Sequence, residues 1–313
     1  MPSHSLIVFA DLDADAPQPP SAVAQSIVQA ARNSLSAGQF EVALQPMSAE
    51  DVRRSVRDMP SGHERLSPDR NLILLGAGAV LAYAPYRSRM VLLDDPFEQA
   101  AAFGGAPQEA DSARIRLHEA LCAAENVITL SQSAFDSVLP LLSRRPVRER
   151  LPTRALSAST AADAPVLVVN NDDGRTIEQT AGMLAETFPE TSFVPFDTRT
   201  AFQSGWKAVV QFGVARSSLP GARLSDAWAG GLPLFQLAVP SAVSVARRHY
   251  GNYLPDVVVE HGRSGLRFAT REELCAAIRD FLFDPLPARA VARSARKRID
   301  PAAEWDTFLK VIL

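Results

Sequence analysis

Two stretches decide how this chain is read: WKAVVQFGVARSSLPGARLSDAWAGGLPLFQLAVPS at residues 206–241, and DVVVEHGRSGLRFATREEL at 256–274. Ala208–Phe212 is a short apolar run of the kind given by a strand buried on both faces. A loop with Arg216, Ser217, Ser218, Pro220 and Gly221 follows it. The spacing then predicts a helix from about Ala222, stopped by Gly230-Gly231-Leu232-Pro233, a glycine–proline signal for a helix C-terminus. Leu234–Val239 is the next strand. A strand, a small-residue loop and a helix start, in that order, make a socket for an anion, because the first amides of a helix have no partner inside it.

Strand and helix signals alternate on either side of this stretch. Upstream, Val166–Val169 and Thr191–Val194 are strands, with a helix between them carrying Ile177, Ala181 and Leu184 on one face. Downstream, Thr270 and Glu273 form a capping box for a helix with Leu274, Ile278 and Phe281 on its apolar side. The first half repeats the pattern. Leu6–Ala10, Phe40–Leu44, Asn71–Leu75, Met90–Leu93 and Val127–Leu130 are strands, with helices at about Ala22–Leu35 and Ala110–Ala124. Ser48 with Asp51 starts a short helix, and Ser131 or Ser133 starts another. Such alternation argues for parallel sheets with helices on both faces.

Ser143–Pro165, arginine-rich and without apolar periodicity, reads as the linker. The division expected is therefore residues 1–150, 164–290, and a C-terminal helical segment 291–313. A chain of 313 residues suits two domains of ordinary size.

The composition is 47% hydrophobic and 21% charged, ordinary for a soluble globular protein. A net charge of −3 and a pI near 6.0 argue against a general nucleic-acid binder. No run approaches the roughly 18 apolar residues of a membrane span, and the N-terminal run is too short for a signal peptide. The reading is cytoplasmic, with peripheral contact at the inner face of a membrane left open. Cys122 and Cys275 sit at apolar positions of helical segments without metal-ligand spacing, and are expected to be reduced core residues.

LSDAWAGGLP resembles the LEAMAxGLP segment of glycosyltransferases with the GT-B fold, and HGRSGLRFATREEL resembles their DGxNGLLVxxxxEEL segment, in the same order. The resemblance spans roughly Ala208–Arg298. It implies two Rossmann-like, doubly wound parallel-sheet domains facing across a cleft, with the nucleotide-sugar donor on the C-terminal one. The implied reaction moves a sugar, of hexosyl type, from a UDP- or GDP-sugar to the hydroxyl of a glycan, lipid-linked or protein acceptor, with no cofactor or metal required. By matching position Asp226 would hold ribose or sugar hydroxyls, a task that suits a group with two acceptor oxygens. Arg223, Arg216 or Arg175 would meet the diphosphate, Ser218 and Gly221 would line the donor loop, and Asp94 is the candidate base for the acceptor hydroxyl. The last helix would return to the N-terminal domain on Trp305, Phe308 and Leu309.

The departures from the family pattern are specific. Asp173-Gly174 stands where the family often has Lys-Gly on the diphosphate, and Ser218 stands where the first acid of an E-x7-E pair is expected. They motivate an alternative: a catalytically inactive GT-B-like protein that binds a glycan, or acts as partner to an active transferase or to a second copy. Asp94 also has a bland reading, an Asp-Pro turn closing a strand, and Asp226 one as a surface acid at a helix start. VFADLDAD is similar to the opening of haloacid-dehalogenase-like phosphatases, but Ala14-Asp15 replace the Gly-Thr that family expects. Among the histidines, His261 beside Gly262–Gly265 is the one placed near a ligand.

Overall fold

The computed structural model describes residues 4–11, 20–34, 40–57, 71–83, 89–92, 95–103, 107–149, 152–170, 176–197, 201–202, 204–214, 223–250 and 257–312. The chain divides into two compact units, Met1–Leu151 with Trp305–Leu313, and Pro152–Glu304.

In the first unit the strands are β1 (His4–Asp11), β2 (Phe40–Met47), β3 (Asn71–Leu75), β4 (Arg89–Leu92), β5 (Asn126–Thr129) and β6 (Val147–Arg148). They form one sheet in the order β2-β1-β3-β4-β5-β6, and every pairing is parallel. Leu72, Ile73, Leu74 and Leu75 are all buried, as an unbroken apolar run must be when helices cover both faces of a parallel sheet. Leu74, Met90, Leu92 and Val127 pack with Leu117 and Leu121 of the Pro107–Ala123 helix.

The second unit contains β7 (Ser157–Ala158), β8 (Val166–Asn170), β9 (Phe193–Pro195), β10 (Gly205–Trp206), β11 (Ala208–Phe212), β12 (Leu234–Leu237) and β13 (Leu266–Phe268). Five of them make a parallel sheet, β13-β12-β11-β8-β9, and β7 pairs with β10 alone. Alternate residues feed opposite faces. Val166, Val168 and Val210 pack with Leu274, Ile278 and Phe281, whereas Leu167, Val169 and Val209 pack with Leu224, Ala227 and Trp228. Both units thus have the doubly wound order in which the first strand is flanked by the second and the third. Parallel α/β sheets in each half are what the sequence leads one to expect.

Several local expectations change. The segment expected as linker is built into the second unit from Pro152 on, with Thr153 and Leu156 buried. Residues 291–304 also belong to that unit, while Trp305–Leu313 belongs to the first, where Arg89 Nη1 donates to Ile312 O at 2.8 Å. Gly76, at φ 82°, turns β3 directly into the helix Gly76–Tyr83, whose residues 77–82 are buried. Cys122 is exposed rather than in the core, and Cys275 is half-buried.

Candidate functional site

The order of the second sheet creates a switch point. From β8 the chain moves outward to β9, and from β11 it moves the other way to β12. Connections leaving the carboxyl ends of two adjacent strands in opposite directions part to leave a crevice, the usual ligand position in open α/β sheets. β8 ends at Asn170, in register with Phe212 at the end of β11.

Two glutamines secure this edge. Gln211 and Gln236 are register partners on β11 and β12, and both are buried. Gln236 Nε2 donates to Gly213 O at 3.1 Å and to Val257 O at 2.9 Å, and its Oε1 accepts from Val259 N at 2.8 Å. One side chain therefore fixes the start of the loop after β11 and the backbone of residues 257–259. A primary amide suits the task because it donates and accepts at once. Sequence reasoning missed this clamp. Its signal was a glutamine inside each of two otherwise apolar strands, AVVQF and LFQL.

The loops that leave β8 and β11 carry most of the predicted donor residues. Arg175 follows β8, with Asp173 beside it, and Arg216, Ser218 and Gly221 follow β11. All of these, and Asp94, lie outside the described residues. The strands that lead into these loops end side by side, at Asn170 and Phe212.

Arg223 and Asp226 are described, and they turn inward. Asp226 has no exposed surface and Arg223 only 4%. Arg223 Nη2 stands 2.9 Å from Asp226 Oδ1, and the same oxygen accepts from the backbone N–H of Arg154 at 2.9 Å. Arg223 also donates to Pro152 O at 2.8 Å, and Asp226 O accepts from Leu156 N at 3.0 Å. The pair clips the incoming segment 152–156 onto the Leu224–Ala229 helix. The resemblance implies that Asp226 faces sugar hydroxyls and Arg223 a diphosphate; the structure places both heads inside the fold, against each other and the segment 152–156. The Arg154 guanidinium lies over the Phe202 ring at 4.2 Å. Burial lowers its pKa from the ordinary arginine value, and the charge of Asp226 works against that. On the same short helix Ser225 Oγ and Trp228 Nε1 are buried with no hydrogen-bond partner among the described residues. Sequence reasoning singled out neither.

Asp95, the neighbour of the candidate Asp94, and the candidate His261 both have structural employment. Asp95, next to Asp94, caps the Pro96–Phe103 helix, accepting at Oδ1 from Phe97 N at 2.9 Å and Glu98 N at 3.2 Å, while Ser137 donates to its other oxygen. His261 is exposed, but its Nδ1 accepts from Arg267 N at 3.0 Å inside its own turn, with Phe268 edge-on. Among the described residues no three His, Cys, Asp or Glu side chains stand where they would hold a metal ion, and no helix is long and apolar enough to cross a membrane.

No protein-family model matches the chain, and no curated protein matches it significantly. Solved structures similar to it include the N-terminal domain of Candida albicans trehalose-6-phosphate phosphatase, at 9% identity over 100% of this chain and 97% of that one, with a TM-score of 0.49. Arabidopsis thaliana UGT89C1 complexed with quercetin is similar at 12% identity over 100% of both chains, TM-score 0.47. The spinosyn rhamnosyltransferase SpnG complexed with thymidine diphosphate is similar at 14% identity over 98% of this chain and 100% of that one, TM-score 0.40.

Proposed function

We propose that this chain is a nucleotide-sugar-dependent glycosyltransferase of the GT-B type, with the donor diphosphate at the carboxyl ends of β8 and β11. The observation that carries the reading is the switch point: the two strands that precede Arg175 and Arg216 in the sequence end side by side there, Asn170 in register with Phe212. The resemblance of residues 208–298 to the donor-binding half of that family supports it.

In this reading the guanidinium forks of Arg216 and Arg175 hold the diphosphate oxygens, aided by backbone amides around Ser218 and Gly221. The acceptor hydroxyl gives its proton to the Asp94 carboxylate as its oxygen bonds to the anomeric carbon. The bond from that carbon to the diphosphate breaks, and the nucleoside diphosphate leaves with its negative charge increased, which is where the cations act. In this reading Asp226 and Arg223 take no part; they hold the segment 152–156 on the Leu224–Ala229 helix. Arg216→Ala should weaken binding of the nucleoside diphosphate by about tenfold or more, the worth of one charge-assisted contact. Its thermal unfolding should stay that of the parent. Calorimetry and donor hydrolysis with a panel of UDP- and GDP-sugars test the reading, and no binding by any of them would remove it.

A second reading, a non-catalytic protein of the same architecture that binds a glycan or a partner, is favoured by one observation. The acid that would hold donor hydroxyls in the family is consumed by Arg223 and the Arg154 amide. Glycan binding without affinity for any nucleotide sugar would establish it in place of the first.

A further inference from the structure

The helix Leu286–Arg296 packs on the second unit through Ala288, Ala292 and Ala295, all buried. At 3.6 residues per turn the opposite side is Leu286, Arg289, Arg293 and Lys297, a single stripe along its length. From Leu286 to Arg298 there are five cations and no acid, in a chain whose net charge is −3. Arg293, Arg296 and Lys297 are exposed and Arg289 is half-buried, while Arg298 leans toward Glu260 at 4.0 Å. The stripe begins at an apolar tip. Phe283 is 93% exposed and Leu286 64%. Of the two acids near the tip, Asp284 is engaged at Oδ1, which accepts from Leu286 N at 3.1 Å, and Asp280 is exposed on the preceding helix.

We propose that this tip and stripe form a docking surface for an anionic lipid bilayer. An aromatic ring left almost wholly in water gains by entering the acyl boundary, and the row of cations that begins one turn after Leu286, on the same face of its helix, meets the lipid phosphates. Charge complementarity alone would also suit a nucleic acid, but a nucleic acid would leave Phe283 and Leu286 in water; the apolar tip decides for lipid. The small helix-facing residues set the orientation, since Ala288, Ala292 and Ala295 leave the stripe only one way to point. The inference does not depend on the sugar-transfer reading.

Flotation of the full chain with phosphatidylcholine vesicles, with and without phosphatidylglycerol, tests it. The chain should float with the anionic vesicles and not with the neutral ones, and salt should release it. Arg293→Ala and Lys297→Ala should each weaken binding by about fivefold, the usual share of one cation at a lipid surface. Phe283→Ser should weaken it as well, with circular-dichroism melting unchanged in all three because the side chains are exposed. Phe283→Trp should show a blue-shifted emission with anionic vesicles that the parent lacks. Equal binding to neutral vesicles, indifference to the two cation replacements, or failure to float combined with binding of an oligonucleotide would each overturn the proposal.

Discussion

Asp226 is where residue-level chemistry weighs most. A carboxylate with no exposed surface, held by a guanidinium and a backbone amide, is costly to disturb on one side only. Asp226→Ala leaves Arg223 buried without its counter-ion and should destabilise the protein by about 3–5 kcal/mol, a third or more of a typical domain's stability. Urea unfolding measures this. A variant of unchanged stability that has lost ligand affinity would return Asp226 to the binding site. Gly230 belongs to the same clip, since a Cβ there would stand 2.0 Å from Leu156 O. Gly230→Ala should therefore cost about 1–3 kcal/mol, as forced overpacking does. The amino-acid order alone could not reveal the clip, because the partners of Asp226 and Arg223 lie 72 and 71 residues away. Asp51 is the contrasting case, its partner being three residues away. Ser48 Oγ donates to Asp51 Oδ2 at 2.7 Å and Ser48 N does so at 3.1 Å, while Asp51 N donates back to Ser48 Oγ. The hydroxyl contact first, and the amide second, hold the Asp51 carboxyl below its ordinary pKa. Its contribution to stability is present above the unfolded-state value of about 4 and is lost as pH falls through the lower folded value. In a carboxyl NMR titration Ser48→Ala should bring Asp51 back toward the ordinary range; an unmoved titration would reject the box.

At the scale of elements, the switch point depends on backbone that one side chain holds in place. Gln236→Leu removes three contacts of 2.8–3.1 Å and leaves Val257 O and Val259 N to find other partners, while Gly213 O keeps the longer contact from Gln211 Nε2 at 3.4 Å. The expected loss is about 2–4 kcal/mol, given the cost of buried groups left unmade. Amide exchange at Val259 should quicken with it, and unchanged protection there would show that the clamp is dispensable. The elements themselves were largely legible. Apolar runs such as LVV and VVQF mark strands buried on both faces, and Thr270 with Glu273 forms the full reciprocal box. Less legible was the helix Gly76–Tyr83, because GAGAVLAY carries no polar face to give a period when every side is packed. β7 and β10 escaped for the opposite reason, being two residues each.

For the whole molecule, the sequence indicated two parallel α/β units but placed their border imprecisely. Arginines and prolines between Ser143 and Pro165 look like a tether, yet Leu156 is in the core and Thr153 N donates to Glu304 Oε2 at 2.8 Å. Long-range pairing, which no local pattern encodes, makes that stretch part of the second unit. Of the candidate site, the bordering strands Val166–Val169 and Ala208–Phe212 were legible in the sequence, and the burial of Asp226 was not. The strands that lead into the two candidate loops end side by side at Asn170 and Phe212, and Asp226, the acid that the resemblance assigns to the donor, is buried against Arg223 and the Arg154 amide. The most direct test of the sugar-transfer account is a crystal of the full chain soaked with uridine or guanosine diphosphate. The account predicts diphosphate density at the carboxyl ends of β8 and β11, against the guanidinium of Arg216 or Arg175. Density at the ends of β1 and β3 instead, or none with either nucleotide, would contradict it.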